Sequence, residues 1–547
     1  MSSPATPDSG GDTAGDGRRP GFASLHRLVA VTVLGFASGL PLALTGQAMQ
    51  AWLTMDGLAL ADIGFLTLVG VPYTFKFLWA PLMDRFDAPA RWRRRGWLVI
   101  TQLALAVALF ALAATSPKAS LTAFALLALT VAFLSASQDI VVDAYRTDVL
   151  SPAERGLGAS LGVMGYRFAM ILSGGVTLIW TDSVQGGGWT WHEVYRLMAG
   201  LMLGLAAFSL VALPALRPLS SAPPDDLTAP AAGRSAWRDL AGFAAVVAAV
   251  GLGVALTRLL GQPLAEALLA PLLDGSALKP ALRQRWADLL ALFGGIAVTL
   301  PMVVWAARKA RFEPLLQGMR SYFSIAGAGA FLVVIVLYKL GDAFAVSLMT
   351  PFLLSGVGYA AAEVGVVNKV IGLWLTIVGA LFGGALMFRL GLWRSLMLFG
   401  ILQLVSNLGF WWLASGGKGA LGGLLLPAFD WGFVKITAPT TVDGALLAAV
   451  AFDNLSGGMG TAAHVALMMA LCQQRFTATH YALLSALAAV GRVWVGPAAG
   501  VLAESIGWPV FFVASTAVAL PGLVMLAWLR RAVEALDRPA QSATQST

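Results

Sequence analysis

The segment that decides the fold is residues 28–46, LVAVTVLGFASGLPLALTG, which contains no charged side chain. As a helix rising about 1.5 Å per residue, it is long enough to cross nearly all of the roughly 30 Å of hydrocarbon in a bilayer. Comparable runs recur almost to the C-terminus. No small-residue cleavage site closes the first run, so we expect it to remain as a membrane span. The sequence therefore predicts a polytopic helical membrane protein.

The composition all but excludes a water-soluble enzyme. Of the 547 residues, 58% are hydrophobic and 12% are charged, and the mean hydropathy is +0.77. An ordinary soluble chain is about 45–50% apolar and about 25% charged. The single cysteine, Cys472, excludes an intramolecular disulfide and offers no metal cluster, so we interpret it as a helix-packing residue.

The apolar runs divide the chain into six predicted spans, a Pro/Ala/Ser-rich linker containing two more spans, and six further spans. This layout predicts an all-α membrane protein with two six-helix bundles and two extra central transmembrane helices, fourteen spans in all. The first span follows Arg27, and the others are expected at about 61–83, 97–115, 121–145, 157–180, 193–213, 239–260, 286–308, 321–354, 363–388, 393–414, 444–472, 478–503 and 508–529. The predicted units are a disordered tail (1–24), an N-terminal bundle (25–213), the linker with its helix pair (214–320), a C-terminal bundle (321–531) and a cytoplasmic tail (532–547).

The basic residues predict the orientation. With a cytoplasmic N-terminus, 23 of the 36 Lys and Arg residues fall in cytoplasmic segments, 8 on the other side and 5 within spans. Lys and Arg resist translocation, so this bias favours both termini in the cytoplasm. The net charge of +8 is then a consequence of topology, and we expect no nucleic-acid partner.

Weak internal repetition supports the plan of two bundles. Residues 61–64 (ADIG) and 362–365 (AEVG) each begin a predicted helix with an acid, where the helix dipole favours negative charge. Ser160 and Arg167 likewise match Ser485 and Arg492 at a spacing of 325. The two central spans have no counterpart and are interpreted as an insertion between the halves.

The edge of the second span resembles the loop signature of the major facilitator superfamily. There WAPLMDR at 79–85 is followed by RRRG at 93–96, an acid and a base before a basic-Gly turn. In that superfamily the loop latches the cytoplasmic helix ends, which implies a latch role for Asp84, Arg85, Arg93 and Arg94. Ala80 stands where a Gly is expected, and Phe388 replaces the acid of the second copy. Arginines that only fix the topology are the alternative.

Longer strings resemble the AmpG-type muropeptide permeases, a group within that superfamily. They are GFASGLP (35–41), FKFLW (75–79), SASQD (135–139), YKLGDAF (338–344), VGVVNK (364–369) and VGR (490–492). The resemblance covers about 28–213 and 321–531. It implies a transporter of the bacterial inner membrane that brings N-acetylglucosaminyl-1,6-anhydro-N-acetylmuramyl peptides into the cytoplasm for peptidoglycan recycling with the proton gradient. More distant relatives include acetyl-CoA transporters.

Ionisable side chains inside predicted spans are candidate functional groups, because an unpaired charge in a bilayer is costly. Asp139 and Asp143 lie four residues apart on one helical face, and Arg146 follows three residues later. Lys339 and Asp342 are three apart on another span. Asp139, Asp143 and Asp342 are therefore candidate proton carriers. The alternative is a set of fixed ion pairs, with Asp143 bound to Arg146 or Arg167.

Bases outnumber acids in this intramembrane set, which favours an anionic cargo. The bases are Lys76, Arg167, Lys339, Lys369 and Arg492. Arg can hold a carboxylate in bidentate fashion, so Arg167 and Arg492 rank first as ligands of the stem-peptide carboxylates. Gln138, Tyr73, Tyr166, Asn368, Gln403 and Asn407 are further candidate contacts to sugar and acetamido groups. Helix packing and interhelical hydrogen bonds are the alternative explanation for these polar and aromatic residues.

The resemblance and the intramembrane charges together imply a proton-coupled muropeptide importer that works by alternating access. An acetyl-CoA or other anionic-metabolite transporter of the same superfamily is the first alternative. A membrane-embedded enzyme of cell-wall precursor metabolism is the second alternative. The scarcity of His, with 4 residues, and of loop carboxylate pairs argues against it. No Walker sequence is present, which argues against ATP-driven pumping. We expect no cofactor, and a monomer whose partners are an anionic glycopeptide, protons and the lipid bilayer.

Overall fold

The chain folds into a bundle of long apolar helices. The computed structural model describes residues 22–76, 79, 83, 93–150, 155–184, 187–214, 236–273, 278–311, 327–430, 432, 435–471 and 477–536. Most of the predicted N-terminal tail, nearly all of the 214–234 linker, Cys472 and the chain beyond 536 lie outside the described residues.

The helices up to residue 211 are called the N-half. They are α1 (Phe22–Leu44), α2 (Gln47–Met55), α3 (Leu60–Leu66), α4 (Val71–Phe75), α5 (Arg93–Ala113), α6 (Leu121–Val149), α7 (Arg155–Ile171), α8 (Thr177–Thr181) and α9 (Trp191–Val211). Capping side chains fix two of the helix starts. Ser120 accepts from the Ala123 amide, and Thr190 forms a reciprocal capping box with Glu193. A turn of 3-10 helix joins α3 to α4, and a π turn joins α7 to α8.

The two inserted spans follow, and together they are called the inserted pair. The first consists of α10 (Ala236–Leu256) and α11 (Gln262–Leu273), which are joined by a π turn. The second is α12 (Pro280–Lys309), which packs against the first. Close contacts of Gly253 with Thr299 and of Gly295 with Thr257 bring these backbones together. Helices α10 and α12 are therefore held together by small-residue packing of the kind that membrane helices favour.

The remaining helices are called the C-half. They are α13 (Ala328–Val346), α14 (Met349–Pro351), α15 (Ala361–Val364), α16 (Gly372–Leu390), α17 (Leu392–Trp412), α18 (Gly444–Ala470), α19 (Thr477–Trp528) and α20 (Arg530–Leu536). Between α17 and α18 lie four short strands, β1 (Gly423–Leu426), β2 (Phe429–Asp430), β3 (Lys435–Ile436) and β4 (Thr440–Asp443). They form two antiparallel pairs, β1 with β4 and β2 with β3.

The predicted helical membrane fold is confirmed, whereas the count of fourteen spans is not. Eleven helices in the described part are long and apolar enough to cross a membrane. The segment Leu60–Phe75 is shorter, because the described part stops at the end of α4. The two predicted spans at 478–503 and 508–529 meet inside α19 at Gly507, whose φ of 75° only Gly adopts readily. The unit boundaries stay a prediction.

The largest apolar core lies around one end of the bundle. We call this end the far edge, where α2 ends and α3 begins, and we call the opposite end the near edge. In the N-half, Trp52 packs against Phe124, Trp191 and Tyr195. In the C-half, Phe352 occupies the corresponding place and packs against an equivalent ring cluster formed by Phe410, Trp508 and Phe512. Edge-to-face ring packing stabilises both clusters.

Candidate functional site

An acid on α6 forms the centre of a polar cluster in the N-half. Asp139 accepts a hydrogen bond from the Ser38 hydroxyl of α1, and its carboxylate lies 3.7 Å from the Lys76 ammonium at the end of α4. The Asp139 side chain is 14% exposed and that of Lys76 is 36% exposed. Three separate helices therefore supply one charge-balanced group, as an intramembrane acid requires.

The Asp139 group is surrounded by buried polar atoms that lack partners. Gln138 is fully buried, and neither its amide nitrogen nor its amide oxygen makes a hydrogen bond to any described residue. The hydroxyls of Tyr73 and Ser135 are likewise without one. A buried polar atom without a partner is unfavourable, so these atoms need water or a ligand. The structure thus places Tyr73 within electrostatic range of Asp139, and Gln138 directly precedes Asp139 on α6.

Arg167 lies on α7, which packs against the α1 helix that carries Ser38. A close contact between Gly39 and Tyr166 fixes α7 against α1, one residue from Ser38. Arg167 is half-buried, and its guanidinium makes no ion pair or hydrogen bond within the described part of the chain. Asp143 pairs with Arg146 at 3.0 Å, which decides between the two partners considered for it. Arg167 therefore remains available to a ligand.

The C-half contains a second polar cluster with a different charge balance. The Lys339 ammonium lies 3.2 Å from the Asp342 carboxylate on the same helix, α13. Asp453 on α18 accepts a hydrogen bond from Ser406 at 3.2 Å and lies within electrostatic range of both Asp342 and Lys339. Two acids therefore share one base in this cluster.

Unpartnered amides also surround the second cluster. Gln403 and Asn407 on α17 are almost fully buried, and all of their amide atoms lack partners among the described residues. Together with Tyr338 and Asp342 they line a cavity of about 10 Å³, which has room for about one water molecule. Asn368 on the α15–α16 segment has an unpartnered amide nitrogen as well. The predicted residues Gln403, Asn407 and Asp342 are thus brought together.

His464 does not extend this cluster into a hydrogen-bonded relay. Its ring is 3% exposed and stacks on Tyr338 at 5.5 Å, with an interplanar angle of 5°. Neither ring nitrogen makes a hydrogen bond to a described residue. The stacking supports a packing role for His464.

Sequence reasoning missed Asp453. It lies in a predicted span and carries the same signal as Asp139, an ionisable group among apolar neighbours. Counting Asp453 changes the intramembrane set defined above to five bases against four acids, so the predicted excess was overstated. Three residues predicted from the sequence cannot be placed fully, because the side chains of Arg93, Lys369 and Arg492 lie outside the described residues.

The proposed latch is described only in part. Asp84 and Arg85 lie outside the described residues. Arg94 at the start of α5 lies 3.5 Å from Asp148 near the end of α6, at the near edge. This pair joins two helix ends, and the latch role stays a prediction.

At the far edge the two halves meet along two equivalent seams. In the α3–α19 seam, the Ala61 amide donates to Glu504 at 2.9 Å, and a Cβ at Gly64 would lie 2.9 Å from the Gly500 Cα. In the α8–α15 seam, the Ala362 amide donates to Asp182 at 3.0 Å, and a Cβ at Gly365 would lie 2.7 Å from the Gly175 carbonyl oxygen. Each seam thus pairs a helix start in one half with a carboxylate and a Gly from the other half. The acidic helix starts repeated in the sequence mark these places.

Neighbouring elements cover each seam differently. Next to α3–α19, Arg285 of α12 pairs with Asp62, and the Trp286 indole donates to Ser505 at 3.0 Å. Next to α8–α15, the Thr437 hydroxyl between β3 and β4 donates to the Val184 carbonyl at 3.0 Å.

The strand segment also joins the C-half beside the α8–α15 seam through Asp443. Its carboxylate accepts from the Tyr359 hydroxyl at 3.1 Å, and its amide donates to Glu363 at 2.7 Å. Burial and the negative charge of Asp443 raise the pKa of Tyr359 far above its ordinary value, so its hydroxyl keeps the proton that it donates.

Solved structures with a similar fold are transporters. One is a bacterial homologue of the human lysosomal transporter Spinster in an inward-facing, unoccupied conformation, with TM-score 0.59 and 12% identity over 95% of this chain and 99% of that one. Another is a mutant of the peptide transporter POT, with TM-score 0.59 and 15% identity over 93% and 95%. The chain shares the overall fold of these transporters.

A more specific identification comes from the sequence relatives. The family model described as acetyl-coenzyme A transporter 1 matches residues 27–184. The anhydromuropeptide permease of Escherichia coli (strain K12) is 41% identical over 508 residues, which cover 93% of this chain and 80% of that protein. The chain belongs to the anhydromuropeptide permease family.

Proposed function

We propose that this protein imports anhydromuropeptides across the bacterial inner membrane by proton-coupled alternating access, with both termini in the cytoplasm and as a monomer. The observation that carries the proposal is the charge-balanced Lys76–Asp139 group of the N-half. The unpartnered amide of Gln138 precedes it on α6, and Arg167, which has no ion pair within the described part of the chain, lies on α7. Family membership supports the cargo, since the 41% identical relative is named for it.

The cluster chemistry suits a peptide-bearing amino sugar. Arg167 offers two parallel donors to a stem-peptide carboxylate, and Arg binds such groups in bidentate fashion. Gln138 and, from the C-half, Gln403 and Asn407 each offer an amide donor and an acceptor to acetamido and hydroxyl groups. Cargo binding between the halves would provide partners for atoms that otherwise have none, which is a favourable exchange.

The transported proton binds to an acid of one of the two clusters. Lys339 can balance only one of Asp342 and Asp453, so a proton bound to this pair brings the C-half cluster to neutrality. Asp139 is the second choice, because Lys76 already balances it. Asp143 is the third choice, because its side chain is 57% exposed and pairs with Arg146.

Alternating access requires both seams to separate. The far edge is closed by Ala61–Glu504, Ala362–Asp182 and the Gln50 amide that donates to the Ser347 carbonyl at 2.9 Å. Rocking the halves apart at this edge exposes the clusters to the periplasm, and closing it returns them to the cytoplasmic side. Each state then presents the same residues to the opposite compartment.

Liposomes into which the purified protein has been reconstituted test the proposal. With a proton gradient directed inward, we expect intact anhydromuropeptide to accumulate, and a protonophore to abolish accumulation. Conversion of the muropeptide without accumulation would instead show a membrane-embedded enzyme. Protein-free liposomes are the control for leakage.

A second cargo has one observation in its favour, the match of residues 27–184 to the acetyl-CoA transporter model. Its phosphates would also suit Arg167. Competition decides between the two: excess acetyl-CoA should leave muropeptide uptake unchanged, while strong inhibition together with acetyl-CoA uptake would favour the alternative.

A further inference from the structure

A cleft of about 600 Å³ lies between the inserted pair and the N-half, away from both polar clusters. One wall is formed by α3 and the turn that follows it, the second by the first half of α6, and the third by the inserted helices. The predicted function uses none of these surfaces.

The cleft changes from polar to apolar along its length. The polar side chains of its lining are those of Asp62, Arg258, Gln262, Arg285 and Asp288. From Leu121, at the start of α6, the apolar lining continues to Leu129, which is about 12 Å along the helix axis. A water-soluble ligand would leave the apolar wall of the cleft hydrated. A purely apolar ligand would leave its charged side chains without a partner. A molecule with a charged head and a hydrocarbon chain matches both.

The charges at the polar end are incompletely paired. Arg285 binds both Asp62 and Asp288, and Gln262 donates to Asp288 at 3.0 Å, so this trio carries one net negative charge. Arg258 is exposed and makes no ion pair or hydrogen bond to any described residue. An unpaired Arg on a membrane helix is costly unless the interface supplies a phosphate.

We propose that this cleft binds one aminophospholipid, with its phosphate on Arg258, its ammonium beside Asp62 and Asp288, and an acyl chain along the α6 wall. Charge complementarity selects this occupant, since one net positive group and one net negative group line the same cleft. The lipid would occupy the space behind α12, the helix that contacts both Asp62 and Ser505 across the α3–α19 seam.

Native mass spectrometry of the full chain in detergent tests the site. The probes are phosphatidylethanolamine, phosphatidylglycerol and a diacylglycerol with the same chains. We expect one phosphatidylethanolamine to be retained in preference to the other two. Equal retention of the diacylglycerol would overturn the proposal, and equal retention of phosphatidylglycerol would overturn the assignment of the ammonium to the two acids.

Two variants of the cleft have matched controls. Arg258→Gln removes the phosphate ligand and should lower phosphatidylethanolamine retention about tenfold or more, as expected for a lost charged hydrogen bond. Ala125→Phe fills the apolar part and should lower retention to a similar degree. Lys279→Gln, an exposed base at the same edge outside the cleft, and Ala248→Phe, on an exposed face of α10, should retain the lipid like the wild type. Undiminished retention by both cleft variants would overturn the proposal.

Discussion

The two polar clusters use similar residues but differ in charge. In the N-half, Lys76 and Asp139 come from different helices and balance one another, and Arg167 adds a cation. In the C-half, Lys339 and Asp342 share a helix, and Asp453 adds an acid. The described side chains thus leave one net positive charge in the first cluster and one net negative charge in the second. This difference supports the proposal that cargo carboxylates bind in the N-half and that the transported proton binds in the C-half.

The largest expected effect comes from removing an acid of the C-half. Asp342→Asn or Asp453→Asn leaves Lys339 with a single acid, so the cluster is neutral without a proton and coupling is lost. One proton crossing 100 mV can support about fortyfold accumulation, and we expect that factor to disappear. Gradient-driven accumulation in proteoliposomes measures it, with cargo counterflow retained and Asp143→Asn as the control. Uncoupling by Asp139→Asn alone would reverse the assignment of the proton.

The next effect concerns the cation of the N-half. Arg167→Gln removes a charged, bidentate contact and should raise the half-saturating muropeptide concentration about tenfold or more. Arg146→Gln is the matched control, because Arg146 pairs with Asp143 at the exposed end of α6. Similar uptake curves for Arg167→Gln and wild type would contradict a cargo contact at this position.

A smaller effect is expected from the unpartnered amides. Gln138→Leu removes polar atoms that have no protein partner, so thermal stability should be equal or higher, while half-saturation rises about fivefold through one lost neutral hydrogen bond to the cargo. Gln403→Leu gives the comparison in the C-half. A fall in melting temperature without a change in uptake would show that Gln138 has a structural role instead.

The smallest expected effect is the difference in coupling energy between the two ion pairs. A double-mutant cycle on Lys76 and Asp139 should give a coupling of about 0.5–1 kcal/mol, since the Lys is partly exposed. The pair on one helix, Lys339 and Asp342, should give about 0.2–0.5 kcal/mol. Unfolding of the single and double variants in mixed micelles measures both. A larger coupling for Lys339 and Asp342 than for Lys76 and Asp139 would contradict this ranking of the two pairs.

The sequence alone predicted the helical membrane fold, the family resemblance and most members of both clusters. Hydrophobic runs predict helices directly, and an ionisable residue within such a run is conspicuous, as with Asp139 and Asp342. The Lys339–Asp342 spacing also predicted that pair, but the partners of Asp139 could not be predicted. Ser38 and Lys76 meet Asp139 only through the packing of three helices, which depends on close Gly contacts that composition does not reveal.

The far-edge contacts could not be predicted from the sequence either. The repeated ADIG and AEVG segments indicated two acidic helix starts, but not that Glu504 and Asp182 from the opposite halves would accept from the amides preceding those acids. The role of the inserted pair was equally hidden, because Arg285 and Asp62 are 223 residues apart in the chain.

The glycine contacts in the two seams offer a way to change the ratio of the two forms that open to opposite sides of the membrane. At Gly64 and Gly365 even a methyl group would overlap the opposing backbone. Overpacking costs about 1–3 kcal/mol, which shifts a two-state ratio by a factor of about 5 to 150. An alanine at either position would therefore enrich the opposite-facing form, and such a variant is a practical starting point for capturing the outward-open transporter.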